Sequence, residues 1–249
     1  KKKSSAEKRH FKVVLVCLSD RMLLQTWVLF SCIVYVESNC AAGYTGGWNG
    51  LASLISLIDA RDAANVNISP DGSVGIPDLS GTSGMTWTRS YGSTSFMTMD
   101  GIPCWNLNAG GLVTSTRTTL GDSYTLFYYW KPRESDTSPD GWRSLHMGTS
   151  SDYWAMVGQN NKNLGMYSTR NSGMRDSGYD ITIEWQTLIV TGVATSTGSH
   201  LGTSTFYVNG VQVGTADRVG SGTQTYTIGH FSAQGFAYIS VAGVLNQNL

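Results

Sequence analysis

Charge is scarce in this chain, at 14% of 249 residues, and it sums to zero. The sum hides an asymmetry. Residues 1–21 hold seven Lys or Arg against Glu7 and Asp20, a net of +5, so residues 22–249 carry −5. No basic patch lies downstream, which excludes the electrostatic footprint of nucleic-acid binding. The mildly acidic remainder favours solubility and selects no particular partner. Cysteine is equally sparse: Cys17, Cys32 and Cys40 lie in or at the end of an N-terminal apolar stretch, and only Cys104 lies beyond it. Removal of that stretch would leave no intrachain disulfide, so the fold would rest on its core, with Cys104 a small buried residue. The histidines, His10, His146, His200 and His230, are far apart and lack cysteines at ligand spacing, which excludes a zinc-type cluster. No Gly-x-Ser-x-Gly elbow occurs, and no convincing amphipathic helix does either.

What is abundant is turn chemistry. With 29 glycines, 5 prolines and frequent Ser and Thr, the chain is rich in turns, yet it is too apolar and aromatic for disorder. The strongest local signal is Thr203–Thr215, where Asn209-Gly210 separates two β-branched, aromatic runs. Both central residues of a type I′ turn need φ > 0, which Asn and Gly tolerate best, so the stretch predicts a two-residue hairpin. Its register sets Val208 opposite Val211, Tyr207 opposite Gln212 and Phe206 opposite Val213. Phe206, Val208, Val211 and Val213 then share one apolar face.

The first 42 residues read as a targeting segment. Lys1–Lys12 is basic, and Met22–Val36 is an apolar run of 15 residues, at the upper end of a signal-peptide core and short of a spanning helix. Small residues around Ala42 offer a cleavage point. Retained, the segment would be a signal anchor, although Asp20-Arg21 makes one unbroken span expensive. Residues 43–50 read as a linker. Leu51–Ala64 has mixed periodicity and predicts a short helical or irregular segment leading into a first strand. From Met85 onward, short strand-like runs alternate with turn clusters, which argues for one sandwich or barrel. In Tyr124–Trp130 both alternating faces are largely apolar, as in a central strand covered on both sides.

The ordered set of runs resembles the laminin-G-like, or concanavalin A-like lectin/glucanase, jelly rolls. Leu57-Ile-Asp59-Ala60-Arg-Asp62, Asp71-Gly72 and Asp78-Leu-Ser-Gly81 resemble the family's opening pattern. Tyr124–Pro132, Trp185–Val190, Thr205–Gly214, Ile228-Gly229 and Gly235–Ile239 are similar to later strands. The resemblance spans residues 51–249 and implies an all-β, two-sheet antiparallel jelly-roll sandwich preceded by an N-terminal targeting helix. Family members usually continue past the position of Leu249, so it also implies a domain cut short there.

Enzymes of this fold carry Glu-x-Asp-x-(x)-Glu on one strand. The nearest match, Asp180-Ile-Thr-Ile-Glu184, has Thr182 in the middle, and residues four apart on a strand stand ~13 Å apart. Retaining hydrolysis needs two carboxyls about 5–5.5 Å apart, so no catalytic residue is expected. The expectation is a secreted, non-catalytic module that binds extracellular glycan or glycoprotein. Alternatives are a glycoside hydrolase of this fold and an adhesion module of a larger surface protein. Rings and hydroxyl-binding groups cluster in Trp142, His146, Asp152, Tyr153, Trp154 and Asn160, the expected ligand-binding residues. His146 alternates with Trp142 and Ser144, which would turn it toward a cleft, with a hydrogen-bonded sheet histidine as the alternative reading; Trp142 and Trp154 are alternatively inter-sheet core. No cofactor is required. Structural calcium is the family association, with Asp59, Asp62, Asp71, Asp78 and Asp100 as loop candidates and no metal site assigned. No nucleic acid is expected as a partner, and membrane only if the N-terminal segment is retained. Secretion would appear as a trimmed form in the medium; intact protein confined to membranes would contradict it.

Overall fold

Short runs of β-branched and aromatic residues between glycine-rich turns favour a pleated, half-buried backbone over a helix. The computed structural model describes residues 54–61, 67–68, 74–80, 85–133, 143–147, 152–157, 163–168, 173–197, 199–220, 222–229 and 237–247. Among these there are strands and no helix. The targeting segment (1–42) and the linker (43–50) lie outside the described residues.

The chain begins with β1 (Leu54–Asp59), β2 (Asn67–Ile68), β3 (Val74–Pro77), β4 (Thr86–Met99) and β5 (Ile102–Thr114). Next come β6 (Thr118–Leu120), β7 (Ser123–Pro132), β8 (Arg143–Met147), β9 (Asp152–Val157), β10 (Asn163–Ser168) and β11 (Gly173–Asp180). Last are β12 (Gln186–Ala194), β13 (Gly202–Val208), β14 (Val211–Ala216), β15 (Gly222–Gln224), β16 (Thr227–Gly229) and β17 (Ala237–Leu245).

These strands form an antiparallel sandwich. One layer runs β1-β17-β7-β12-β13-β14, and the other β11-β10-β9-β8-β16. The long strand β5 belongs to both. Its first half pairs with β17, Trp105 opposite Ile239, and its second half with β16, Leu112 opposite Ile228. Register shifts in the β4–β5 ladder at Arg89–Tyr91 and Tyr91–Ser93 mark where it bends between layers, as bulges do. On the opposite side β11 meets β14. A Cβ on Gly214 would lie 1.9 Å from the backbone oxygen of Ser177, so only glycine permits that approach. Arg175 Nε lies 3.1 Å from Asp217 Oδ1 beside it.

Between the layers lies one hydrophobic core. Tyr124, Leu126, Tyr128 and Trp130 of β7 meet Leu145, Trp154, Val157 and Leu164 of the facing layer. Each such side chain contributes roughly 1.5–3 kcal/mol through burial. Thr125 and Phe127, on the other face of β7, are buried as well, so the expectation of a doubly covered central strand holds.

Other expectations need correction. Leu51–Ala64 was expected to be helical or irregular, yet Leu54–Asp59 is a strand paired with β17. Its helical spacing arose because Leu57 and Ile58, neighbours on opposite faces, are both fully buried. The β13–β14 hairpin has the expected I′ turn, with φ of 49° at Asn209 and 78° at Gly210. Val208 faces Val211 and Tyr207 faces Gln212, but a register shift then sets Phe206 opposite Gly214, not Val213. Phe206 and Val208 are buried, whereas Val211 is 61% exposed at the turn. A second turn of the same kind, Asp100-Gly101 with φ of 55° and 81°, joins β4 to β5.

The opening motif of the sequence is structural. Asp78 Oδ2 accepts from Ser56 Oγ (2.6 Å), Leu57 N (3.1 Å) and Trp87 Nε1 (2.8 Å), and Oδ1 accepts from Ser80 N (2.9 Å). One carboxylate thus ties β1, the turn after β3 and the buried Trp87 together. Asp59 is likewise taken, by the guanidinium and backbone N–H of Arg61. Asp78→Ala should lower stability by about 3 kcal/mol, because several donors lose their acceptor. Urea denaturation measures this, and a loss below about 1 kcal/mol would contradict the role.

Candidate functional site

The residues expected to bind ligand are not assembled on a surface. Trp142 and Asn160 lie outside the described residues, and only the backbone of Asp152 and Tyr153 is described, on β9. His146 and Trp154 are 1% and 0% exposed. Neither offers a ring face to solvent: His146 is the hydrogen-bonded sheet histidine and Trp154 the core residue of the alternative readings, not ligand-binding residues facing a cleft. The reason is local. The β8–β9 ladder shifts register between Ser144 and His146, which breaks simple alternation and leaves both Leu145 and His146 in the interior.

There they form an aromatic cluster. The His146 ring stacks on Trp154 with centroids 5.3 Å apart and 17° between planes. Tyr226 lies 5.7 Å from His146 and 5.8 Å from Trp154, and Tyr124 lies 6.0 Å from Trp154. A hydrogen bond between the Tyr128 hydroxyl and His146 Nδ1 crosses from β7 to β8 and so links the layers. The Tyr124 hydroxyl accepts from Gly220 N at 2.8 Å. Burial pushes the Tyr124, Tyr128 and Tyr226 hydroxyls above the ordinary tyrosine range. It pushes His146 down from 6.5 to about 3. None of the groups that bond to or stack on His146 is a carboxylate. The cluster is a sealed, uncharged packing unit.

A different group of residues is open to solvent on the other face of β7. At and just past the end of β7, alternation turns Tyr129, Lys131 and Arg133 outward, and all three are half-buried where Tyr128, Trp130 and Pro132 are buried. The Tyr129 ring lies 5.1 Å from that of Trp185, which immediately precedes β12. Lys131 Nζ donates to Asp100 Oδ2 at 2.7 Å, placed there by the Asp100-Gly101 turn. This bond is the main reason the Asp100 carboxyl sits below its usual range, with the Trp185 indole N–H adding to it. Across the β7–β17 ladder Lys131 faces Tyr238, and across β17–β5 Tyr238 faces Asn106. The Arg133 guanidinium carbon lies 6.0 Å from the Tyr238 ring centroid. At the Trp185 end, Asn209 Oδ1 accepts from Thr187 N at 2.9 Å and fixes the hairpin turn alongside.

The result is a strip of three half-buried aromatic rings, Trp185, Tyr129 and Tyr238, interleaved with Lys131, Asp100, Arg133 and Asn106. Such a surface can pack apolar C–H faces and hydrogen-bond hydroxyls at once. Sequence reasoning missed it, although Tyr129-x-Lys131-x-Arg133 alternation was legible once Pro132 is allowed inside the strand. Asp100, a calcium candidate, is paired with Lys131. Asp62 and Asp71 lie outside the described residues, and no group of three or more acidic, His or Cys residues suited to a metal occurs among the described ones. Asp180 ends β11 and Glu184 lies in the bend before β12, so the two do not share one strand. Both are exposed. Cys104 is a buried free thiol, pushed up to about 11 by desolvation.

No protein-family model and no curated protein matches the chain. Solved structures do. A botulinum neurotoxin type C structure, described by the dependence of cell entry on two ganglioside molecules, has a TM-score of 0.54 at 13% identity over 79% of this chain and 48% of that one. The binding domain of botulinum neurotoxin DC in complex with rat synaptotagmin II has a TM-score of 0.53 at 12% identity, covering 79% and 49%. Trypanosoma rangeli sialidase in complex with a difluoro-KDN has 0.50 at 12%, covering 80% and 31%. The likeness is one of fold. The chain spans about half the length of the toxin structures, and the shared part is an all-β sandwich.

Acid should weaken the fold through His146. The groups facing it, Tyr128, Trp154 and Tyr226, are all neutral, so nothing offsets a buried positive charge. Its folded value is depressed, so the unfolded chain binds the extra proton between about 6.5 and about 3. Stability is therefore complete above about 6.5 and falls as pH drops through that window, by up to about 1.4 kcal/mol per pH unit for one proton. His146→Gln, neutral at every pH, should show a shallower fall between pH 6.5 and 4 in urea titrations. Equal slopes would contradict the assignment.

Proposed function

We propose that this chain is a non-catalytic binding module of the laminin-G-like, concanavalin A-like type, which holds carbohydrate or glycoprotein on the strip from Trp185 to Tyr238. The single observation that carries this reading is the Tyr129–Trp185 ring pair, half-open and flanked by hydrogen-bonding groups. Rings in that setting supply contact area at low entropy cost, while neighbouring polar groups set orientation. The toxin structures that share the fold are described with gangliosides and with synaptotagmin, which supports a glycan or glycoprotein as the partner class.

A basic-then-apolar N-terminus supports secretion, or display outside the cell on a retained anchor. The reading needs no bound calcium, since Asp59, Asp78 and Asp100 already have partners in Arg61, four hydrogen-bond donors and Lys131. A glycosidase reading draws on the sialidase likeness, but Asp100, the carboxylate that the described residues bring to the strip, is ion-paired to Lys131.

A glycan array probed with the full chain, with calcium and again with chelator, tests the proposal. Specific binding should fall at least about tenfold on Trp185→Ala, roughly 1.4 kcal/mol, with the fold intact by circular dichroism. Binding untouched by Trp185→Ala and by Tyr129→Ala would reject the strip. Hydrolysis of a bound glycan that vanishes on Asp100→Asn would overturn the non-catalytic reading.

A further inference from the structure

Lys131 in β7 and Arg133 just past the end of that strand stand two residues apart, yet their charges are managed differently. Lys131 is neutralised by Asp100 at 2.7 Å. Arg133 has no ion pair among the described residues. Its guanidinium sits against the face of Tyr238, and its Nε is buried without a hydrogen-bond partner. Across the sheet, Asn106 Oδ1 is likewise buried and without a partner. Asn106 stands directly opposite Tyr238 in the β5–β17 ladder, and Tyr238 stands opposite Lys131. An unpaired cation, an unfilled acceptor and a half-buried ring are therefore brought to one end of the strip.

Buried polar groups are nearly always hydrogen-bonded, so two left unpaired at one end of the strip ask for a partner. The donors of Arg133 call for an anion. A guanidinium presents its N–H groups in a planar fork that matches a carboxylate in bidentate fashion, which an ammonium cannot do. The Asn106 oxygen calls for a donor, and a sugar hydroxyl supplies one. The Tyr238 ring, against the guanidinium and opposite Asn106 in the ladder, supplies an apolar surface.

We propose that Arg133, Asn106 and Tyr238 form a subsite for the carboxylate-bearing ring of an acidic saccharide, a sialic or uronic acid. This rests on the strip being the ligand face. Arg133 receives the carboxylate, Asn106 accepts from a ring hydroxyl, and the neutral part of the same chain of sugars continues over Tyr129 and Trp185. Arg133, just past the end of β7, lies four positions from Tyr129, ~13 Å of extended chain, which suits an oligosaccharide better than a single ring. The pairing of Lys131 with Asp100 leaves the middle of the strip neutral, so charge selection is confined to the Arg133 end.

The test is titration calorimetry of the full chain with matched oligosaccharides: sialylated, uronate-bearing and neutral. Wild type, Arg133→Met, Arg133→Lys and Trp185→Ala are compared, with near-ultraviolet circular dichroism as the check on folding. At least one acidic form should bind about tenfold or more tighter than its neutral counterpart. Arg133→Met should abolish that preference while leaving neutral binding in place, Arg133→Lys should restore part of it, and added salt should reduce it. Whether the sialylated or the uronate form carries the preference identifies the acid. Equal affinity for neutral and acidic forms, with binding lost in Trp185→Ala, would overturn the carboxylate subsite and leave the binding module standing. No binding of any saccharide by the wild type would overturn both. Preference for an acidic peptide over every saccharide would also overturn the subsite as drawn.

Discussion

The hydrogen bond between the Tyr128 hydroxyl and His146 is the polar link that the sandwich is built around. It joins β7 in one layer to β8 in the other, inside a cluster whose remaining members are aromatic. Apolar contacts are non-directional and tolerate sliding, whereas a buried donor and acceptor must meet at one place. A sheet displaced by one residue would leave both groups unpaired and turn Tyr128 away from the core. The link thus fixes how the layers face each other, and Trp154 and Tyr226 pack around a histidine already held in position. A condition accompanies this: the imidazole must stay neutral, because no carboxylate among its partners could stabilise a charge.

The two faces of β7 divide structure from recognition. Its inward row, Tyr124, Leu126, Tyr128 and Trp130, belongs to the core. At its C-terminal end the outward row becomes Tyr129, Lys131 and Arg133, which carry the open strip. Because inner side chains hold the strand rigidly, the outer ones are presented at fixed spacing, and binding would cost little backbone ordering. The β4–β5 and β13–β14 turns add Asp100 and Asn209 at its border. Both are residues that tolerate the positive φ these I′ turns impose, so turn chemistry and surface chemistry are set by the same side chains.

Much of the fold was legible. The all-β class, the Asn209-Gly210 turn and the doubly buried β7 follow from patterns that local physics dictates. What failed did so for identifiable reasons. The strand β5 reads poorly because Pro103 and Gly110-Gly111 look like turns, yet they lie where the strand starts and where it crosses between layers. Leu57 and Ile58 simulate a helix because both faces of β1 are covered. The binding residues were misplaced for a related reason: composition marks His146 and Trp154 as suited to sugars, but composition does not record which way a bulged strand turns its side chains. The strip was overlooked because Trp185 reads as the start of a strand and Tyr129 as one face of a buried one. Only the ladders bring those rings together with Arg133 and Tyr238.

The most direct measurement is backbone amide hydrogen exchange of the full chain with and without a saturating glycan ligand. The expected result is protection concentrated at residues 129–133, 185–187 and around Tyr238 and Asn106, with the distant turn near Leu201 unchanged. Protection confined to the Leu201 turn or to β9 and β10, with β7 unaffected, would contradict the placement of recognition on the outer face of β7.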